Sequence, residues 1–174
     1  MSVESQQWFP VATLLAGFAA NGILEWFRHR SSSSREVAAR VAERCRAIEE
    51  RRARFQRESL LALQEAMVDL TRAVANGHFH DLRAFRQGNG WRKTYLPEDV
   101  DQAIREANQQ TALLNERVAD ENVRKAVEYA KGLASGIFFT SDSATAEGMM
   151  TKLGNASIEV QKQIGIVLRK LDEE

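Results

Sequence analysis

The chain contains 174 residues, with 24 basic and 24 acidic side chains and a single cysteine. One cysteine excludes both an intramolecular disulfide and a metal centre built from a cysteine cluster. The zero net charge is unevenly distributed, because residues 1–27 carry −2, residues 28–57 carry +6 and residues 58–174 carry −4. The last of these segments is long enough to bury the core of one domain.

Residues 8–27 predict a transmembrane helix, although a buried helix of a globular domain is the alternative. The run carries a single charged residue, Glu25, near its end. At a rise of about 1.5 Å per residue, a helix of this length covers the roughly 30 Å hydrocarbon core of a bilayer. Aromatic residues at both ends, followed by arginines, are typical of membrane–water interfaces. The predicted interface residues are Trp8, Phe9, Trp26, Phe27, Arg28 and Arg30.

The charges on either side of this run predict its orientation. Only Glu4 is charged within residues 1–7, whereas ten arginines lie within residues 28–57. Arginines beside a span stay in the cytoplasm, so residues 1–7 are expected outside and residues 28–174 inside. The basic segment is then expected to contact anionic lipid headgroups. Nucleic-acid binding by this segment is the alternative, although four glutamates are interspersed in it.

Small residues recur four positions apart inside the predicted span. They would let two helices approach closely, and the amide of Asn21 would hydrogen-bond across the contact. This pattern favours a homo-oligomer that associates through the span. The predicted helix–helix contact residues are Ala12, Ala16, Gly17, Ala20 and Asn21.

The sequence beyond the span predicts an all-α fold. Helical periodicity runs through residues 35–86, 97–139 and 144–172, without the alternation of a strand. Short loops between long helices favour antiparallel neighbours. We therefore expect an N-terminal transmembrane helix followed by an antiparallel, coiled-coil-like three-helix bundle. In this division, residues 28–57 form a basic juxtamembrane helical segment and residues 58–174 form the bundle.

Local signals predict where the helices end and which parts pack. The segment Gly88–Gly90 is expected to end the first helix, because Gly and Asn adopt the left-handed conformation of a C-cap. Pro97 suits the first position of the next helix. The apolar stripe changes phase near Asp120, which predicts either a kink or a new helix capped by that carboxylate. Arg51 and Arg52 interrupt the stripe of the first helix, so we expect its first half to be exposed and its second half to pack.

The sequence contains no recognisable catalytic or metal-binding arrangement. His78 and His80 lie two residues apart, so on a helix they point to nearly opposite sides and cannot share an ion with Asp81. Zinc needs three or four ligands, and no second His or Cys cluster exists. A nucleophile elbow and a phosphate-binding glycine loop are also missing. We therefore expect no enzymatic activity, no metal and no cofactor.

Aromatic and basic residues concentrate around the first main loop. This composition is typical of hot spots in protein interfaces. The candidate partner surface consists of Phe85, Arg86, Trp91, Arg92 and Tyr95. The alternative is structural: the loop packs against the end of the bundle, with Trp91 and Tyr95 inserted into its core.

Two segments, residues 9–30 and residues 51–58, resemble a broad group of uncharacterised bacterial membrane proteins. The shared features are a short N-terminus, a span that ends in aromatic and basic residues, and a helix rich in Arg and Glu. The resemblance implies a bacterial inner-membrane location and brings no activity. We expect a membrane-anchored cytoplasmic scaffold or interaction protein with an unidentified protein partner. An accessory subunit of a membrane complex, a phage- or stress-related membrane factor and a nucleic-acid tether are the alternatives.

Overall fold

The computed structural model describes the backbone of residues 9–173 and the side chains of residues 37–173. This part of the chain contains four α-helices and no strand. The helices are α1 (Phe9–Arg86), α2 (Glu98–Asn115), α3 (Glu121–Ile137) and α4 (Ser143–Glu173). The all-α prediction is confirmed for these residues. The chain divides into two compact units, residues 1–51 and residues 52–174.

The predicted transmembrane segment, residues 8–27, lies outside the residues whose side chains are described. The same is true of the predicted interface residues between Trp8 and Arg30, and of the small-residue contact between Ala12 and Asn21. Among the residues that the structure describes, no helix is both long enough and apolar enough to cross a bilayer. The anchor therefore stays a prediction from sequence.

In the first unit, the described part of α1 is exposed. Val37, Val41 and Ile48 expose 61%, 54% and 46% of their surface. Cys45, which belongs to the same apolar stripe of the helix, is also exposed. The expectation that the first half of this helix is exposed is thus confirmed for residues 37–51.

In the second unit, one face of α1 is buried from Ser59 onward. Its apolar side chains recur three or four positions apart, as one face of a packed helix requires. That face is almost fully buried at Leu60, Leu63, Met67, Leu70 and Val74. The other helices complete the same core with Leu114, Val123, Val127, Ala130, Leu153, Val160 and Ile164.

Contacts at both ends show that α2 is antiparallel to α1. The side chain of Gln56 donates to the carbonyl of Arg117 at 2.9 Å and accepts from the N–H of Ala119 at 2.8 Å. Farther along α1, Gly77 lies next to Ile104, near the start of α2. The start of one helix therefore lies beside the end of the other.

The contacts of α4 show the same antiparallel relation to α1. Arg57 forms a salt bridge with Asp172, near the end of α4. About four turns farther along α1, the hydroxyl oxygens of Thr71 and Ser157 are 3.4 Å apart. The long last helix thus runs back along α1 and closes one side of the core.

The predicted three-helix bundle is wrong, because the middle segment forms two helices. Asp120 Oδ1 accepts hydrogen bonds from the N–H groups of Asn122 at 2.9 Å and Val123 at 3.0 Å. This N-cap satisfies donors that the start of α3 would otherwise leave free, so it fixes a new helix start. α3 then runs to Ile137, and the ring of its C-cap residue, Phe138, lies beside Gly77. The second unit is therefore an up-down-up-down four-helix bundle.

Candidate interaction site

The loop of residues 87–97 begins with a glycine-based helix cap. Gly88 has φ 91°, in the left-handed region, and its N–H donates to the carbonyl of Phe85 at 3.1 Å. The N–H of Asn89 donates to the carbonyl of Ala84 at 3.2 Å, which completes the bond pair of a Schellman motif. The predicted end of α1 is confirmed. Pro97, at the other end of the loop, is the N-cap residue of α2, so the helix begins at Glu98, one position after the predicted start at Pro97.

Trp91 packs onto the end of α1. Its ring meets the ring of Phe85 edge to face, with centroids 5.8 Å apart, and the ring of His78 at 6.0 Å. Aromatic pairs of this geometry contribute about 0.5–1.5 kcal/mol beyond the burial of their area. Trp91 therefore follows the structural alternative. Tyr95 does not, because 99% of its surface is exposed.

Arg92 links the loop to two helices. Its Nε lies 3.2 Å from Oδ2 of Asp81 in α1, and the Asp81 side chain is 6% exposed. Its guanidinium carbon lies 5.2 Å from the centroid of the Phe138 ring, directly after α3. Arg92 also has φ 53°, a left-handed conformation that is unfavourable for a residue with a side chain. These two contacts hold the strained residue in place.

Burial shifts the pKa of two groups beneath the loop. It lowers the pKa of His78, although Asp81 and Glu147 favour the protonated imidazole. It also raises the pKa of Asp81 and outweighs the opposing attraction of Arg92. Among the described residues, neither His78 Nδ1 nor Trp91 Nε1 has a hydrogen-bond partner. The site therefore favours a neutral His78 under the aromatic rings.

A groove of about 660 Å³ opens between the loop, the start of α2 and the end of α3. Arg92 lines it, together with Tyr95 and Phe139, which are 99% and 87% exposed. Glu98 and Asp101 add negative charge to the same wall. Exposed aromatic surface beside charges of both signs suits a polypeptide segment better than a small compact anion.

The structure brings together most of the predicted partner surface. Phe85 and Trp91 are in contact, while Arg92 and Tyr95 line the same groove. Arg86 is exposed at the last position of α1. Their role in partner binding stays a prediction.

Three residues of the site have no place in the predicted partner surface: Asp81, Phe138 and Phe139. Asp81 lies three positions after His78, and residues at this spacing share one face of a helix. That spacing is the signal that identifies the two as a buried polar pair. Phe138 and Phe139 follow α3 in sequence, and only the four-helix arrangement brings them to the loop.

Neither a metal centre nor a relative indicates a chemistry for this site. Within the described residues, no group of three or more His, Cys, Asp and Glu side chains is placed to hold a metal ion. In comparisons with known proteins, no protein family, curated protein or solved structure matches the chain. The functional argument therefore depends on the geometry of its own residues.

Proposed function

We propose that the chain is a membrane-anchored, non-catalytic scaffold that binds a protein partner through the groove at the loop end of its bundle. One observation carries the proposal: Tyr95 and Phe139 are almost fully exposed and line the same groove as Arg92. Aromatic and arginine side chains dominate the energetics of protein interfaces. A partner that covers both rings would remove a large apolar area from water.

The loop is ordered by contacts of its own. The Gly88 cap, the packing of Trp91 and the Asp81–Arg92 salt bridge each fix one part of it. Binding to a preorganised loop loses less conformational entropy than binding to a mobile one. Glu98 and Asp101 on the groove wall are both paired with Arg105, so we expect the partner segment to present an apolar side chain to the exposed rings rather than a cluster of basic residues to the wall.

The sequence supports the anchoring part of the proposal. Residues 8–27 have the length of a span, and residues 28–57 carry +6 next to it. This charge favours the cytoplasmic face of a bacterial inner membrane and contact with anionic headgroups. Anchoring confines the bundle to the membrane plane and raises the effective concentration of any partner there. The small residues within the span favour self-association.

A second candidate function is that of an accessory subunit in a larger membrane complex, or a phage- or stress-related membrane factor. The exposure of Phe139 favours it, because permanent interfaces are more apolar than transient ones. Such a subunit would copurify in fixed stoichiometry with the same proteins. A nucleic-acid tether, supported only by the charge of residues 28–57, would show binding that falls steeply with salt.

The partner proposal is tested with the full-length chain extracted from its native membranes in mild detergent. The double variant Tyr95→Ser/Phe139→Ser changes the groove, and Tyr129→Ser is the control, since Tyr129 is 61% exposed on α3 outside the groove. We expect one stoichiometric partner with the unaltered chain and with the control, and its loss with the double variant. An unchanged partner in the double variant would refute the groove as the binding site.

A further inference from the structure

The exposed part of α1 in the first unit carries an apolar face with heptad spacing. Ala38 and Cys45 are seven positions apart, and Val41 and Ile48 follow each of them by three. All four side chains are exposed. The alternation of three and four residues is the seam of a two-stranded coiled coil, with Ala38 and Cys45 at a and Val41 and Ile48 at d. We propose that a second copy of this chain covers the seam in a parallel, in-register coiled coil over residues 37–51.

The charges select this seam over the neighbouring one. Val41 and Ile48 also belong to a second possible seam, in which Val37, Arg44 and Arg51 occupy the other core positions. In a parallel pair, that pattern would place each arginine against its own counterpart in the partner copy. Burying like charges against each other is strongly unfavourable. The seam through Ala38 and Cys45 leaves both arginines at flanking positions, where they remain in water.

The same flanking charges favour a parallel pair. Arg44 occupies a g position, and Glu49 occupies the e position of the next heptad. In a parallel coiled coil, the g side chain of one helix lies beside the following e side chain of the other. Arg44 of each copy would then face Glu49 of the second copy, twice by symmetry. In an antiparallel pair, Arg44 would instead face Arg44 or Arg51 of the other copy.

Two heptads suffice here because the helix does not need to form on association. α1 extends from Phe9 to Arg86, so the seam is part of a longer helix. Isolated helices shorter than about 12–15 residues are marginal because nucleation is costly, and that cost does not arise here. The inference rests on the self-association in the proposed function and is independent of the partner groove. An anchor at residues 8–27 would add a high effective concentration and would impose the parallel direction.

A cysteine scan of the full-length chain in membranes tests the seam. The native Cys45 is compared with two sets of single cysteines, each introduced in a Cys45→Ser background. The seam set is Ala38→Cys, Val41→Cys and Ile48→Cys. The control set, on the outer faces of the helix, is Ala39→Cys, Glu43→Cys and Glu50→Cys. A disulfide needs Cα atoms roughly 4.4–6.8 Å apart, which the a positions of a parallel in-register pair provide. We expect mild oxidation to give several-fold more dimer from position 45 or 38 than from position 39 or 43. Equal yields, or a maximum at the outer positions, would overturn the inference.

A charge swap tests the register with the native cysteine. Arg44→Glu would place two glutamates side by side and should lower the Cys45 disulfide yield several-fold. The double variant Arg44→Glu/Glu49→Arg restores opposite charges and should restore the yield. Failure of the double variant to recover would overturn the parallel register.

The cysteine scan in membranes distinguishes failure of the proposed anchor from failure of the proposed seam. If the chain leaves the membrane fraction but Cys45 still forms the dimer, the anchor is wrong and the seam stands. If the chain stays in the membrane fraction but the scan shows no preference for the seam positions, the seam is wrong and the anchor stands.

Discussion

Two stretches of α1 have the same apolar spacing but different surroundings. Val41, in residues 37–51, exposes 54% of its surface, whereas Leu63, in the second unit, exposes none. Periodicity therefore predicts which face of a helix is apolar, not what covers that face. In the second unit α2, α3 and α4 provide the cover. In the first unit the apolar face is open, and for this reason we assign it a second copy.

The largest expected effect is a loss of unfolding free energy from a substitution in the buried stretch, with little change from a substitution in the exposed stretch. Leu63→Ala leaves a cavity in the core, so the free energy of unfolding should fall by about 2–5 kcal/mol. Val41→Ala removes little buried area within a single copy, so it should change that free energy by less than about 0.5 kcal/mol under monomeric conditions. Urea titrations of the full-length chain in mild detergent, followed by helical circular dichroism, measure both. Equal losses would contradict the difference between the two stretches.

Substitution of a glycine in the buried stretch is expected to give the next largest loss of unfolding free energy. A Cβ at Gly77 would lie 2.8 Å from Cδ1 of Ile104 and 3.2 Å from the ring of Phe138. Overpacking of this kind costs about 1–3 kcal/mol, so Gly77→Ala should lower the free energy of unfolding despite its better helix propensity. Gly132→Ala is the control, because nothing lies within 4 Å of its Cβ position. That variant should gain about 0.5–1 kcal/mol.

Removal of the N-cap between α2 and α3 is expected to lower the unfolding free energy by a smaller amount. Asp120→Ala removes the acceptor for the N–H groups of Asn122 and Val123, which should cost about 1 kcal/mol of unfolding free energy. Asp120→Asn retains an acceptor at the N-cap and should stay within a few tenths of a kcal/mol. The same urea titration compares the two variants. A loss with Asn as large as with Ala would show that capping does not fix the start of α3.

The smallest effect is a pH dependence beneath the loop. The pKa of His78 is lowered from 6.5 in the folded chain, so the folded state favours the neutral imidazole. Its contribution to stability is present above pH 6.5 and is lost as the pH falls through the lowered pKa of the folded state. The raised pKa of Asp81 acts in the opposite sense, because its stabilising contribution is present at low pH and is lost as the pH rises.

Unfolding titrations between neutral pH and pH 5 test this contribution. The loss of stability below pH 6.5 should be smaller in His78→Asn than in the unaltered chain. His80→Asn is the control and should retain the loss. An identical pH dependence in both variants would place its origin elsewhere in the chain.

The sequence pattern predicted the helical class and the burial change within α1, because both follow from local composition and periodicity. It also identified Asp120 as the residue at the phase change, although it left a kink and a new helix as alternatives. The predicted number of helices was wrong because the strength of the N-cap at Asp120 decides between a kink and a new helix. Trp91 and Tyr95 had the same predicted role, and tertiary packing separates them: one ring packs on α1 and the other is exposed. Asp81 and Phe138 reach Arg92 only in the folded bundle.

The central claim, a membrane-anchored scaffold, is tested most directly by carbonate extraction of membranes from cells that express the full-length chain. The account predicts that the chain stays in the membrane pellet and that deletion of residues 8–27 releases it into the supernatant. Release of the full-length chain by carbonate would contradict the anchor, and with it the lipid contact and the confinement of the bundle to the membrane plane.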